Sequence, residues 1–260
     1  MSAEWPVFVI NMADNVARMQ KCRAALDAQG IAFERFEAVN GRALEPDEVA
    51  RIYDAAANRA RFRHPLVAGE MGCYLSHVAL WRKLVASDAA GAVLLEDDFA
   101  AAPGLGDVLR ALAGDQGSWD MVKLFSRRPD ARMLARRPLC DGFDLAIPYQ
   151  IPNTTLGYAI RRDAAARLLE HSLPIARPID EDHKRFWEHG LTIALVQPPP
   201  LSFGEEASKG DTIQSNRKAA TRPPAGAVLR QGLRNLGYRL RYLAALHYHR
   251  LIGMGRGHAP

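Results

Sequence analysis

The stretch from Gly69 to Asp98, GEMGCYLSHVALWRKLVASDAAGAVLLEDD, decides the fold class of this 260-residue chain. Its first part repeats apolar residues at helical spacing, which predicts a helix over Gly69–Ser87. After Gly91, the short apolar run Ala92–Leu95 is typical of a buried strand, and it leads directly into three carboxylates. A helix followed by a buried strand that ends in acidic residues indicates an α/β protein with a polar site at the edge of its sheet.

Strands and helices also alternate on both sides of this stretch. The predicted strands are Pro6–Asn11, Ile31–Val39, Met121–Phe125, Gly157–Ile160 and Leu191–Val196. The predicted helices are Asp14–Gln29, with Asp14 as its cap, Glu45–Arg61, Asp163–His171 and Ile179–His189. This alternation predicts a mostly parallel sheet flanked by helices, with the ligand site at the carboxyl ends of its strands. That rule selects Asn11, Glu96–Asp98 and Phe125–Arg128.

The composition excludes several classes of protein. Apolar residues make up 48% of the chain and charged residues 24%, so the chain is globular and not disordered. No apolar run reaches the length of a membrane span, and residues 1–10 do not resemble a signal peptide. We therefore expect a cytoplasmic protein. The three cysteines, Cys22, Cys73 and Cys140, lack a C-x-x-C pair, which argues against disulfides and a structural zinc site and favours small buried side chains.

The basic charge is concentrated in the C-terminal tail. Residues 217–260 carry nine of the 34 basic side chains and none of the 29 acidic ones, so we divide the chain into residues 1–216 and a tail. Residues 217–227 are expected to be a linker, and the rest to form an amphipathic helix. Its leucine stripe consists of Leu229, Leu233, Leu236, Leu240 and Leu243. An anionic membrane surface, packing on the main domain and a homodimer are the alternatives for this stripe.

The triplet Glu96, Asp97 and Asp98 is the sharpest candidate for chemistry. Three carboxylates so close together are unstable without a cation, and oxygen ligands suit Mg²⁺ or Mn²⁺. The alternative is a solvated acidic turn. His77, on an otherwise apolar helix, is either a core residue or a site residue, and a second acidic cluster, Asp180–Asp182, is either a helix N-terminus or a source of a general base. No phosphate-loop or dinucleotide-binding glycine motif is present in the sequence.

Six segments, in this order, resemble glycosyltransferase family 25 of lipooligosaccharide biosynthesis. They span about residues 6–217, and the most specific is the G-x-x-G-C-x-x-S-H-x-x-x-W block that precedes the triplet. The segments are VFVINMADNVAR, GEMGCYLSHVALW, AVLLEDDF, NTTLGYAIRRDAAARLL, PID and ASKGDTIQSNRK. The resemblance implies a GT-A-type, Rossmann-like fold, followed here by the basic amphipathic helix. It also implies inverting transfer of a hexose, galactose above all, from a UDP-sugar to a lipooligosaccharide or other glycan.

The resemblance also assigns roles to individual residues. The triplet stands for the family's metal motif, so Asp98, with Glu96, would hold Mn²⁺ or Mg²⁺. The residues expected near the nucleotide-sugar are Asn11, Arg18, Ser76, His77, Glu96 and Asp97. Asp180 is the expected general base, followed by Glu181 and Asp182, and Ser215–Arg217 would lie in a C-terminal loop.

The membrane-anchored acceptor of this family places the protein at the inner face of the cytoplasmic membrane. Two other functions stay open at this point. One is a catalytically degenerate scaffold that only binds sugar, and the other is a protein whose basic tail binds nucleic acid, although the acidic main domain argues against nucleic acid as a partner.

Overall fold

The computed structural model describes residues 5–128, 130–204 and 228–254. Its strands are β1 (Val7–Asn11), β2 (Glu34–Glu37), β3 (Gly91–Glu96), β4 (Phe99–Ala101), β5 (Met121–Lys123), β6 (Met133–Cys140), β7 (Phe143–Pro148), β8 (Gly157–Arg161), β9 (Ile193–Gln197) and β10 (Leu201–Phe203). Its α-helices are α1 (Val16–Asp27), α2 (Pro46–Ile52), α3 (Ala55–Arg61), α4 (Ala68–Val85), α5 (Leu105–Gly114), α6 (Arg162–His171), α7 (Ile179–His183) and α8 (Val228–Met254).

Eight of the strands form one central sheet in the order β2-β1-β3-β8-β5-β9-β7-β6. Strand β1 pairs in parallel with β2 and β3, and β5 pairs in parallel with β9. Strand β8 lies between β3 and β5 and is antiparallel to both, and β7 is antiparallel to β9 and β6. Six strands therefore point one way and two the other, while β4 and β10 form a small separate antiparallel sheet. The predicted α/β class with a mostly parallel sheet is confirmed.

Both faces of the central sheet are covered. Successive residues of β1 alternate between two cores, with Val7 and Val9 facing the helices α1 and α5 and Phe8 and Ile10 facing α4 and α6. This alternation follows from the two-residue period of a strand and explains why the strand reads as a continuous apolar run. The result is a three-layer sandwich whose strand ends are left open for a site.

Helix α8 packs on the α4 side of the sheet through one of its faces. Tyr238, Tyr242 and Leu246 are buried there, and the Arg234 guanidinium donates hydrogen bonds to the carbonyl oxygens of Arg59 and Phe62. The predicted leucine stripe lies on the opposite face. The side chains of Leu229, Leu233, Leu236 and Leu240 are between 54% and 77% exposed, so packing on the domain does not bury these four leucines.

Among the described residues no helix combines the length and the apolar character that crossing a membrane requires. The predicted linker at residues 217–227 and the loop residues Ser215–Arg217 lie outside the described residues.

Two predicted helices were too long. Glu45–Arg61 is broken into α2 and α3 because Tyr53 forms a bridge with Ile175 and Asp54 starts a new helix, its carboxylate accepting hydrogen bonds from the backbone of Ala56 and Ala57. Ile179–His189 likewise ends as α7 at His183, followed by a separate turn of 3₁₀ helix over Phe186–Glu188.

Other boundaries also differ from the prediction. Strand β2 covers only four of the residues predicted for it, and α1 begins after Asn15, so Asp14 is not its cap. Helix α5, the β6–β7 hairpin and the pair β4 and β10 lie in segments for which the sequence analysis made no prediction. Of the cysteines, Cys22 is buried as expected, whereas Cys73 and Cys140 are only partly buried, and all three are free thiols.

Candidate functional site

The polar residues of the site meet at one edge of the central sheet. Asn11 ends β1, Glu96 ends β3 and Lys123 ends β5, and these three strands point in the same direction. Because β8 runs the opposite way between β3 and β5, its first residues, and not its last, reach the same edge. Thr154 and Thr155, which precede β8, therefore join the site.

Asp97 is bound by protein side chains. Its carboxylate accepts a hydrogen bond from Asn11 Nδ2 at 2.7 Å and forms an ion pair with Arg18 at 3.0 Å. The Arg35 guanidinium donates to Asn11 Oδ1 at 2.9 Å, which fixes the amide so that its nitrogen points to Asp97. Asn11, Arg18 and Asp97, each predicted from the sequence to lie near the nucleotide, thus form one connected cluster. Their donor-binding role stays a prediction.

Glu96 is half-buried and surrounded by groups that favour its charged form. Thr155 Oγ1 donates a hydrogen bond to Glu96 Oε1, and His77 Nε2 lies 3.7 Å from the same oxygen. Burial raises the pKa of Glu96, but the His77 imidazole, the Thr155 hydroxyl and the Lys123 ammonium lower it by more. The pKa of Glu96 therefore lies below the usual range of a glutamate. Glu96 is therefore a carboxylate at neutral pH.

Asp98 has the opposite environment. Burial first, and then the charges of Glu96 and Asp97, raise the pKa of Asp98 to about 7. Its Oδ1 atom is buried and accepts no hydrogen bond from the described residues. A buried carboxylate oxygen without a donor, next to two further carboxylates, is suited to a divalent cation that prefers oxygen ligands. The residues present therefore fit Mn²⁺ or Mg²⁺.

Lys123 is a site residue that the sequence analysis missed. Its side chain is fully buried, and Nζ donates to Thr154 O at 2.9 Å and lies 2.7 Å from His183 Nδ1. Burial lowers the pKa of Lys123 to about 7, although the carboxylates of Asp180 and Glu96 oppose this shift. A lysine in the middle of an apolar strand was the only available signal, since nothing in the sequence shows that β5 ends beside β3.

Helix α4 packs against the sheet edge and carries Ser76 and His77. Ser76 is buried and holds the helix in place, because its hydroxyl donates to Gly72 O at 2.8 Å and accepts from the backbone nitrogen of Val39 at 2.9 Å. His77 is fully buried, and its Nδ1 lies 2.8 Å from the hydroxyl of Tyr158. Both residues were predicted near the donor. The structure places His77 against Glu96, whereas the hydroxyl of the adjacent Ser76 is used within the protein.

The second acidic cluster divides into one residue at the site and two in ion pairs. Asp182 accepts hydrogen bonds from Arg177 at 2.6 Å and from the Tyr74 hydroxyl at 2.7 Å. Glu181 pairs with Lys184 at 3.1 Å and with Arg185 at 3.3 Å. Asp180 is half-buried and close enough to Cys73 and Lys123 for its charge to act on both of them. Of the three, Asp180 is thus the residue whose charge reaches Lys123 and Cys73 at the sheet edge.

A separate cleft of about 410 Å³ lies at the junction of α3, α6 and the residues before α7. Asp54, Arg61, Arg177, Glu188 and His189 are among the residues that line it, and none of them belongs to the triplet. Arg177 and Glu188 already pair with each other at 2.5 Å. This cleft therefore offers a less convincing site than the sheet edge.

Comparisons with known proteins identify the family of this chain. The sequence profile of glycosyltransferase family 25 (LPS biosynthesis protein) matches residues 5–182. Procollagen galactosyltransferase 1 of Danio rerio is 27% identical over 238 residues, which are 81% of this chain and 39% of that protein. A glycosyltransferase 25 family member of Aedes aegypti is 28% identical over 186 residues, 67% of this chain and 30% of the relative.

A third relative, inactive glycosyltransferase 25 family member 3 of Homo sapiens, is 29% identical over 219 residues, 74% of this chain and 35% of that protein. The chain spans between 30% and 39% of the length of these curated relatives. The α/β fold and the match over most of the chain group this domain with the glycosyltransferases by fold and sequence. The chain belongs to glycosyltransferase family 25.

Proposed function

We propose that the protein transfers a hexose, galactose above all, from a UDP-sugar to a hydroxyl group of a lipooligosaccharide or other glycan, with inversion and with Mn²⁺ or Mg²⁺. The observation that carries the proposal is the Asp98 carboxylate, which is buried beside Glu96 and Asp97 and has an oxygen without a donor. The galactosyltransferase name of the Danio rerio relative supports the choice of sugar.

We assign two residues of the site to the metal and others to the nucleotide-sugar. Asp98 and Glu96 would hold the cation, whose charge stabilises the diphosphate as it leaves. The partly exposed Arg18 and its partner Asp97 lie beside the end of β1 and are placed to contact the nucleotide. His77 acts on the donor through Glu96, and Ser76 through the position of α4.

The reaction needs one base and one leaving group. The acceptor oxygen bonds to the anomeric carbon of the sugar, while the bond from that carbon to the diphosphate breaks and UDP leaves with its electron pair. The proton of the acceptor hydroxyl goes to a carboxylate on the face opposite UDP. We assign this base to Asp180, because its carboxylate acts electrostatically on Lys123 and Cys73 at the sheet edge.

Binding of the donor tests this proposal. We would measure the melting temperature with a panel of nucleotide-sugars in Mn²⁺ and in EDTA, and then the slow hydrolysis of the donor that stabilises. One UDP-hexose should raise the melting temperature only with Mn²⁺, because Asp98 and Glu96 would hold the cation, whose charge would offset that of the diphosphate. The Asp98→Asn variant should lose this response and the turnover.

The matched control is Asp107→Asn, since Asp107 is an exposed carboxylate on α5 that pairs with Arg110 on the same helix. This variant should behave like the wild-type protein. Full Mn²⁺-dependent turnover in Asp98→Asn would disprove the role of Asp98. A wild-type protein that binds the donor but never turns it over would favour the degenerate scaffold, a state that the name of the human relative shows to exist in the family.

We also propose that the exposed face of α8 binds an anionic membrane surface that carries the acceptor. Four exposed leucines lie on one side of the helix, and the described part of α8 contains arginines but no acidic residue. Apolar side chains flanked by arginine are the pattern that inserts between anionic lipid headgroups. Because α8 packs on the domain through its opposite side, the four leucines stay exposed.

Vesicle sedimentation tests the role of this face. The full chain should sediment with vesicles that contain phosphatidylglycerol and not with purely phosphatidylcholine vesicles, and Leu233→Gln together with Leu236→Gln should reduce the bound fraction severalfold. Val16→Gln on α1 is the control, because Val16 is 58% exposed, as exposed as Leu240. Equal binding by the leucine variant would refute the proposal. A dimer that the leucine variant dissociates would instead assign the face to self-association.

A further inference from the structure

We propose that Cys73, His77 and Glu96 form a second cation site, which takes Zn²⁺ and is distinct from the oxygen site at Asp98. The ligands would be Cys73 Sγ, His77 Nε2 and one Glu96 carboxylate oxygen. These three atoms lie within 4.8 Å of one another. The site does not depend on the transferase proposal, because two of its three ligands, Cys73 and His77, take no part in the site at Asp98 and because it is tested by metal binding alone.

The spacing of the three residues brings them together. Cys73 and His77 are four residues apart on α4 and so lie on the same face of the helix. That face points to the end of β3, where Glu96 Oε1 lies 3.8 Å from Cys73 Sγ and 3.7 Å from His77 Nε2. Ligand atoms of a tetrahedral zinc ion are about 3.3 to 3.6 Å apart, given its usual bond lengths. Both distances to Glu96 need only a small contraction.

His77 is already oriented as a ligand. Its ring is fully buried, Nδ1 is engaged by the Tyr158 hydroxyl at 2.8 Å, and Nε2 makes no hydrogen bond to any described residue. A partner on one ring nitrogen that turns the other toward the metal is the usual support of a zinc-bound histidine. Glu96 has comparable support from the Thr155 hydroxyl.

The chemistry of the ligands selects the metal. A thiolate, an imidazole and a carboxylate suit Zn²⁺, whereas Mn²⁺ and Mg²⁺ prefer oxygen alone. The carboxylates of Glu96, Asp98 and Asp180 all act on the Cys73 thiol, so the region attracts a cation. On binding, the thiol proton is released to solvent and three protein ligands leave a fourth position open. Because Glu96 serves both sites, Zn²⁺ should compete with the ion at Asp98.

Cobalt substitution tests the site in the untagged full-length chain. Co²⁺ bound to a thiolate gives a strong near-ultraviolet charge-transfer band, and one equivalent of Zn²⁺ should abolish the band by displacement. Cys73→Ser should remove the band and weaken Zn²⁺ binding at least tenfold, measured by competition with a chelating dye. Cys140→Ser is the matched control, because Cys140 is also a partly buried free thiol but lies on β6, away from the site.

The proposal fails if the band persists in Cys73→Ser or if both serine variants bind Zn²⁺ as the wild-type chain does. Circular dichroism of each variant establishes that it is folded. If Cys73→Ser does not fold, His77→Gln provides the second test: it keeps the cysteine, should weaken Zn²⁺ binding to a similar degree, and refutes the proposal if it does not. If the wild-type chain binds Zn²⁺ as expected but transfers no hexose, only the proposed transferase function is contradicted.

Discussion

At the scale of single residues, the consecutive carboxylates of Asp180, Glu181 and Asp182 have different surroundings. Glu181 and Asp182 are buried in ion pairs, and Asp180 faces Lys123 and Cys73 at the sheet edge. The sequence alone gives all three the same description, an acidic helix start. The basic partners of Glu181 follow from helical spacing. The approach of Lys123 and of α4 depends on tertiary packing, so the position of Asp180 at the sheet edge could not be derived from the local pattern.

This difference predicts the behaviour of Asp180→Asn. We expect kcat to fall by about 100-fold or more, the usual contribution of a general base, while the affinity for the nucleotide-sugar stays within about twofold. Steady-state kinetics and donor titration measure the two quantities separately. Glu188→Gln provides the comparison, because Glu188 pairs with Arg177 away from the triplet and should leave kcat nearly unchanged. An unaltered kcat in Asp180→Asn would assign the base to another residue.

At the scale of elements, the break between α2 and α3 depends on one cap. The Asp54 carboxylate accepts hydrogen bonds from the backbone nitrogens of Ala56 at 2.9 Å and Ala57 at 2.8 Å. Asp54→Ala should lower the free energy of unfolding by about 1 kcal/mol, the typical cost of losing an N-cap. Urea unfolding measures this value.

Asp14→Ala is the control for that experiment. Asp14 precedes α1, where the sequence suggested a cap, but Asn15 occupies the cap position and Asp14 is exposed. Its replacement should change the free energy of unfolding by less than about 0.5 kcal/mol, as is usual for an exposed site. If both variants lost stability equally, the cap would not explain the break.

The sequence predicted the elements whose apolar residues follow a clear strand or helix pattern. Strands β1 and β3 and helix α4 follow from their apolar patterns, and so does the meeting of Asn11 with the triplet at the sheet edge. Strand β6 could not be recognised, because residues 133–140 include three arginine and proline residues and no clear alternation. The direction of β8 and the burial of Lys123 depend on which strands become neighbours, and no local pattern encodes that choice.

At the scale of the whole molecule, α8 is joined to the α7 region by a buried polar junction. Tyr238 of α8 donates a hydrogen bond to Glu181 and accepts one from Arg185 at 2.7 Å. Burial raises the pKa of Glu181, but Lys184, Tyr238 and Arg185 together lower it below its usual value of 4.5. The charged form of Glu181 therefore stabilises the folded protein.

This junction predicts how stability changes with pH. Because the pKa of Glu181 is lower in the folded protein, its contribution is present above about pH 4.5 and is lost as the pH falls through the folded value. Glu181→Gln should cost about 3 kcal/mol at pH 7, since it removes one of the two carboxylates that pair with the buried Arg185, and the cost should shrink in more acidic buffer. Urea unfolding of both proteins at several pH values measures the difference, and a cost independent of pH would contradict this account.

The path of α8 also has a consequence for synthesis on the ribosome. The helix covers Phe62 of the α3 region, Trp187 beside α7 and Tyr149 after β7, residues that are translated long before residue 238 leaves the exit tunnel. Until then these aromatic side chains and the Arg185–Glu181 pair lack the contacts that α8 provides. Before α8 is translated, the nascent chain thus exposes apolar surface of the kind that chaperones bind, and the docking of α8 ends this exposure.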